Sequence, residues 1–118
     1  MMLMSQTDNI RKTELVLALS ESVRYLNKAG IPSEISSLPD ESVCPSKTLI
    51  NLYEQFEFLL EQALPELKAM QIIISDKLMK LTFEGVILTV SEDFSGTVET
   101  DDDITFVRML IGEDGDRR

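Results

Sequence analysis

The sequence predicts an α/β (α+β) two-layer sandwich, with two main helices packed on one face of a mixed, mainly antiparallel sheet of about five strands. Apolar residues recur at the helical period in two long segments, which predicts two amphipathic helices. After the second segment the pattern changes to short β-branched and alternating runs, which are typical of strands. The chain has 118 residues, a length that is typical of a single domain and sufficient to bury a hydrophobic core.

The first helix is predicted from about Thr13 to Ala29. Apolar residues recur there every three or four positions, at Leu15, Leu19, Val23 and Leu26. Gly30 tolerates the left-handed backbone that ends a helix and Pro32 cannot continue one, so both mark the stop. A short strand is predicted over Ile31–Ile35, and Ser36–Ser42 has the composition of a loop.

The second helix is the longest predicted element and begins near Pro45. It carries an apolar stripe wide enough to pack on a sheet, formed by Leu49, Leu52, Tyr53, Phe56, Leu59, Leu60, Ala63 and Leu64. Phe58 falls off this stripe, which makes it a candidate for an exposed contact. Because Pro65 lacks the helix hydrogen-bond donor, the regular helix should end or kink before it, with an irregular turn at Glu66–Met70.

Strands are predicted for the rest of the chain. Ile72–Ile74 is β-branched, and the next run alternates apolar and polar residues, with its apolar positions at Met79, Leu81 and Phe83. Val86–Val90 is a further β-prone run. Gly96–Thr100 and Ile104–Ile111 form a predicted hairpin around Asp101–Asp103, which lacks the ligand spacing of a calcium loop and is interpreted as a turn.

Composition excludes several classes of function. The chain contains no histidine, so it has no phospho-accepting histidine, histidine metal ligand or histidine general base of its own. With 21 acidic and 11 basic residues it carries a net charge of −10, which argues against a nucleic-acid partner. No apolar run approaches the roughly 18 residues of a membrane span, so we expect a cytoplasmic location without direct membrane contact. The single cysteine, Cys44, is interpreted as a loop thiol without a catalytic role.

Three segments are predicted along the chain. Residues 1–12 are interpreted as either the end of an upstream helix or a flexible start. Residues 13–112 form the single α/β domain, and residues 113–118 form an acidic tail.

Four stretches in a fixed order carry a family resemblance. They are a helix ending in Leu26–Ile31, a second helix carrying Tyr53–Leu64, paired strands over Gln71–Ser75 and Lys77–Gly85, and a closing hairpin over Gly96–Thr100 and Thr105–Leu110. This order resembles the ATP-binding domain of bacterial two-component sensor histidine kinases, the GHKL or Bergerat-fold ATPases. The resemblance covers about Thr13 to Ile111 and implies a two-layer ATPase-like fold.

The nucleotide-binding motifs of that family are altered in this sequence. In the family an asparagine four residues after a helix glutamate holds magnesium, and counting from Glu61 that position is Pro65. The family's adenine-binding aspartate lies in an Asp-x-Gly motif, where this chain has Glu84 and Gly85 after a phenylalanine. The glycine-rich phosphate lid corresponds to Val86–Ser95, which contains no glycine. We therefore interpret Glu61, Glu84 and Gly85 as remnants of a cofactor-binding site, and predict no catalytic and no metal-binding residue.

The resemblance implies signal transduction by a degenerate ATP-binding-like domain, the C-terminal part of a sensor histidine kinase. Together with the altered motifs, it predicts a domain that no longer binds ATP, needs no cofactor, is not catalytic on its own and acts through protein contacts. The implied partners are an upstream dimerising histidine-phosphotransfer domain or a response regulator. A homodimer is a further alternative. The parent protein can be a membrane-bound kinase.

Two alternatives remain open. The first is an active histidine kinase domain that binds ATP and magnesium at a non-standard site, with a pocket between the second helix and the sheet. The second is a free-standing acidic interaction or regulatory protein.

Overall fold

Two helices and seven strands form the described part of the chain, residues 9–37, 43–75, 77–92 and 94–111 of a computed structural model. In chain order they are β1 (Asn9–Arg11), α1 (Lys12–Lys28), β2 (Ser33–Ser37), β3 (Val43–Pro45), α2 (Ser46–Ala63), β4 (Ala69–Ile74), β5 (Leu78–Glu84), β6 (Thr97–Asp101) and β7 (Ile104–Leu110). The predicted helices are confirmed to within a residue or two at their ends.

The strands make one five-stranded sheet and one small ribbon. The sheet has the order β2-β4-β5-β7-β6, and β1 pairs with β3 in the ribbon. β2 runs parallel to β4, with Ser33 opposite Met70, and the other neighbours in the sheet are antiparallel. This confirms the prediction of a mixed, mainly antiparallel sheet.

The helices cover one face of this sheet and enclose the core. The α1 stripe is buried at Leu15, Leu19, Val23 and Leu26, and the α2 stripe at Leu49, Leu52, Phe56, Leu59 and Ala63. Alternate residues of the central strands face them and are buried as well, namely Met70, Ile72, Ile74, Met79, Leu81, Phe83, Val107 and Met109. Phe58 is 59% exposed, as its place off the stripe predicts.

The ends of both helices follow from local sequence. Gly30 has a φ of +90°, and the Ile31 N–H closes the end of α1 on the Leu26 carbonyl at 2.9 Å. The Asn27 side chain then accepts from the Ser33 N–H at 2.8 Å and donates to the Ser33 carbonyl at 3.0 Å, which ties α1 to β2. Because Gly30–Pro32 is used in this turn, β2 begins two residues later than the predicted strand.

The expectation of a strand at Val86–Val90 is wrong, because these residues form irregular backbone between β5 and β6. β7 already pairs with β5 on one side and β6 on the other, so the residues 86–90 cannot pair with β7. The apolar alternation still has a structural meaning, since Val86 and Leu88 are both buried.

The β1–β3 ribbon was not predicted. Cys44, expected in a loop, is the central residue of β3 and is 4% exposed, opposite Ile10 of β1. Within the stretch 1–12, β1 and the first residue of α1 are ordered elements, and residues 1–8 lie outside the described residues. Of the predicted loop Ser36–Ser42, the first two residues belong to β2 and the rest lie outside the described residues, as does the predicted acidic tail 113–118.

Candidate functional site

Glu84 and Gly85 lie together in the tight turn that ends β5. Gly85 has a φ of +96°, and its N–H donates to the Asp103 carbonyl at 2.8 Å. The Glu84 carbonyl accepts from the Lys68 N–H at 2.8 Å. A Cβ atom at position 85 would lie 2.8 Å from the Glu66 carbonyl oxygen, so the backbone itself requires glycine here. Gly85 thus has a structural reason to be glycine that is independent of any ligand.

Glu84 also lines a polar cleft at one end of the sheet. The cleft has a volume of about 410 Å³ and is lined by Asn27, Pro32, Ser33, Glu34, Ala69, Met70, Gln71 and Glu84. Its two carboxylates, Glu34 and Glu84, are both exposed, and the Gln71 amide lies 3.5 Å from Glu34 Oε2. Among the described residues there is no group of three or more acidic or cysteine side chains that could hold a metal ion.

Glu61 is exposed on the last turn of α2 and does not line this cleft. Its neighbour Gln62 instead makes the contact in this region, donating from Nε2 to the Thr89 carbonyl at 3.2 Å. Glu84 and Gly85 are neighbours in the sequence, and the structure brings Glu61 to neither of them; it places Gln62 rather than Glu61 against the segment 86–92.

The segment 86–92 follows Gly85, and its first three residues are anchored to the core through Val86 and Leu88. Val86 and Leu88 are 7% and 3% exposed and belong to the core cluster. Thr105 of β7 is fully buried beneath them, and its hydroxyl donates to the Val86 carbonyl at 2.8 Å and accepts from the Leu88 N–H at 3.1 Å. The resemblance implies a phosphate lid at this place, and the chain has a packed apolar segment there.

Replacing Thr105 with valine should lower the free energy of unfolding by about 2 kcal/mol, because it leaves the Val86 carbonyl and the Leu88 N–H buried without their partner. Chemical denaturation measures this change. Thr105→Ser keeps both hydrogen bonds and should cost less than about 1 kcal/mol. Equal losses in the two variants would show that the hydroxyl does not hold the segment.

A groove between the helices forms a second concave surface, which we call the interhelix groove. It has a volume of about 400 Å³ and is lined by Glu14, Leu15, Ala18, Leu49, Ile50, Tyr53, Glu54 and Glu57. Sequence reasoning missed it, because its residues come from two separate helices. Tyr53 was assigned to the core, and it is half-buried with its ring 6.1 Å from that of Phe56.

The interhelix groove has a negative electrostatic environment. Burial raises the pKa of the Tyr53 phenol above its ordinary value of 10.0, and a hydrogen bond with Glu57 raises it further. The charges of Glu57 and Glu21 act in the same direction, while a hydrogen bond with Ser22 lowers the pKa. Carboxylates of both helices therefore surround this phenol.

Neither described helix is long and apolar enough to cross a membrane.

Comparison with known proteins identifies the fold. No protein-family model matches the sequence, and no curated protein matches it. Among solved structures, the Acinetobacter baumannii histidine kinase AdeS is similar over 90% of this chain and 68% of that chain, with a TM-score of 0.54 and 12% identity. Two nucleotide-free crystal forms of the catalytic domain of histidine kinase ThkA give TM-scores of 0.51 and 0.50 at 11% identity, over 88% of this chain and 96% of that domain. The chain has the fold of histidine kinase catalytic domains, as the resemblance implied.

Proposed function

We propose that this chain is a signal-transduction domain, derived from a histidine kinase catalytic domain, that no longer binds ATP and acts through protein contacts. The observation that carries this proposal is the packing of Val86 and Leu88, which directly follow Gly85, into the core. A nucleotide lid has to open and bring its backbone N–H groups to phosphate. Here the buried side chains of Val86 and Leu88 and the Thr105 hydrogen bonds hold the start of the segment against the core.

The charge of the chain supports the same proposal. A net charge of −10 disfavours the approach of a triphosphate unless magnesium and basic groups offset it. The remnant positions at Glu61 and Glu84 carry two exposed carboxylates. These carboxylates add to the negative charge that a triphosphate would meet.

The absence of histidine supports a role in partnership with another protein segment. A chain with this fold and without histidine cannot supply a phosphorylated histidine itself. We propose that this group comes from a dimerising histidine-phosphotransfer domain upstream in the same protein or from a separate protein. A response regulator is the other partner that the proposal allows, and both interactions would take place in the cytoplasm.

A titration with a non-hydrolysable ATP analogue and magnesium tests the loss of nucleotide binding. We expect the melting temperature and the backbone amide shifts of the full chain to stay unchanged at several millimolar analogue. A ligand that binds only the folded state stabilises it by about 2.7 kcal/mol at one hundred times its dissociation constant, which a melting curve resolves. Magnesium tripolyphosphate at equal ionic strength is the control, because it carries the triphosphate chain without adenosine.

Stabilisation by the analogue but not by tripolyphosphate would contradict the proposal. Amide shifts at Gln62, Glu84, Gly85 and the segment 86–92 would then place the nucleotide at a non-standard site. That result would favour an active ATP-binding domain.

A further inference from the structure

The interhelix groove combines an apolar floor with an acidic rim. Leu15 and Leu49 are 4% and 2% exposed and form its deepest part, and Ala18, Ile50 and Tyr53 are half-buried around them. The volume of about 400 Å³ lies within the range of clefts that hold ligands in proteins.

The rim of the groove is entirely negative. Glu14 of α1 faces it from one side, and Glu54 and Glu57 of α2 face it from the other, all three exposed. Among the described residues that line the groove there is no lysine or arginine. A ligand that fills this groove therefore meets apolar contacts below and carboxylates on both sides.

We propose that the interhelix groove is the docking site of a basic amphipathic helix from a partner protein. Apolar side chains of this helix would enter between Leu15, Ala18 and Ile50, while lysine or arginine side chains along its flanks reach the rim. Glu54 and Glu57 are three residues apart on α2, a spacing that matches basic residues three or four positions apart on a guest helix. The proposal rests on the proposed role in protein contacts and names the surface and the chemistry of the partner.

Charge complementarity selects this occupant over a second copy of the chain. Each copy carries a net charge of −10 and has acidic residues on both helices beside the groove. Groove-to-groove association would place carboxylates against carboxylates, which weakens binding. A basic helix instead neutralises the rim while it covers the apolar floor.

The probe for this proposal is a fluorescent peptide of about 18 residues, with leucine at positions i, i+3, i+4 and i+7 and lysine elsewhere. Fluorescence anisotropy with the full chain should show saturable binding that weakens as salt is added. A scrambled peptide of the same composition keeps the charge and loses the apolar stripe, so it should bind at least tenfold more weakly by a rough estimate. Amide shifts on the unmodified chain should map to Leu15, Ala18, Ile50 and Tyr53.

Two triple variants separate the groove from the general charge of the chain. Glu14→Lys, Glu54→Lys and Glu57→Lys together should weaken binding of the peptide by about tenfold or more. The control carries Glu66→Lys, Glu92→Lys and Glu99→Lys, which are exposed positions outside the groove, and should change binding by no more than about twofold. Three reversals add six units of charge, so both variants have a net charge of −4 instead of −10.

Ala18→Trp tests the floor without any change of charge. The indole fills space between the helices, so peptide affinity should fall by about tenfold while the melting temperature confirms folding. Equal weakening by the two triple variants, equal binding of the scrambled peptide, amide shifts elsewhere or no saturable binding would each overturn the proposal. Dimerisation of the unmodified chain that Ala18→Trp abolishes would overturn it in favour of a second copy. None of these measurements involves nucleotide, so a failure here is distinct from a positive ATP titration.

Discussion

Replacing Phe56 with alanine should lower the free energy of unfolding by about 3–5 kcal/mol. Phe56 is fully buried in the middle of α2, within the core formed by the two helices and the sheet. Alanine would remove most of the side chain and leave a cavity that the neighbouring helix and strands can only partly fill. Because domains of this size are stable by only about 5–15 kcal/mol, the loss should be evident in chemical denaturation and as a clear fall in melting temperature.

The same helix supplies the control for this prediction. Phe58 lies two residues further along α2 and is 59% exposed. Phe58→Ala removes the same atoms from solvent-facing surface, so the free energy of unfolding should change by no more than about 0.5 kcal/mol. Similar losses for the two variants would show that the assignment of the buried face of α2 is wrong.

Replacing Gly85 with alanine should lower the free energy of unfolding by about 2–4 kcal/mol. Two costs combine at this position. The φ of +96° is unfavourable for a residue with a Cβ atom, and that atom would lie 2.8 Å from both the Glu66 carbonyl oxygen and Lys68 Cγ. The Lys68 side chain can move away, whereas the Glu66 carbonyl belongs to the backbone that leads into β4.

Gly30→Ala isolates the first of these two costs. Gly30 has a similar φ of +90°, but a Cβ atom there would meet no other atom within 4 Å. We expect a loss of about 1–2 kcal/mol from backbone strain alone, measured by the same denaturation experiment. If the two alanine variants are equally stable, the close approach at Gly85 contributes nothing.

The helices, their buried faces and the antiparallel strands were predictable because their patterns are local. The stripe on α1 repeats within one segment, and Gly30 and Pro32 end it in the same stretch of sequence. The ribbon of β1 and β3 could not be found in this way. Each strand has only three residues, and the pairing of Asn9 with Pro45 depends on how the chain returns after β2.

The segment Val86–Val90 shows where pattern and structure separate. Its alternation correctly indicates that Val86 and Leu88 are buried, but alternation cannot reveal that both edges of β7 are already occupied. The Thr105 hydroxyl instead bonds the Val86 carbonyl and the Leu88 N–H, two backbone groups that a neighbouring strand would otherwise have paired. Which strands have a free edge depends on the order of all strands in the sheet, and the sequence of one segment does not reveal that order.

The candidate sites were less predictable than the fold. The turn at Gly85 could be expected from the glycine itself, which has a φ of +96°. The interhelix groove depends on how α1 and α2 cross, which brings Ala18 beside Ile50 and Glu14 within reach of the same space as Glu57. No spacing along the sequence encodes that crossing, so these residues could be assigned to helices but not to a common surface.

The parallel pairing of β2 with β4 also determines the order in which the sheet can assemble. Ser33 lies opposite Met70, so this pairing closes a loop that contains all of α2, whereas the β4–β5 and β6–β7 pairs are hairpins with short connections. Loop-closure entropy delays contacts between residues that are distant in sequence. The β4–β5 and β6–β7 hairpins should therefore form before β2 pairs with β4. Because β2 also forms one edge of the sheet in the described part of the chain, its amides should exchange with solvent through local opening earlier than those of β5. The pairing of β2 with β4 should therefore form after the two hairpins and open before the centre of the sheet.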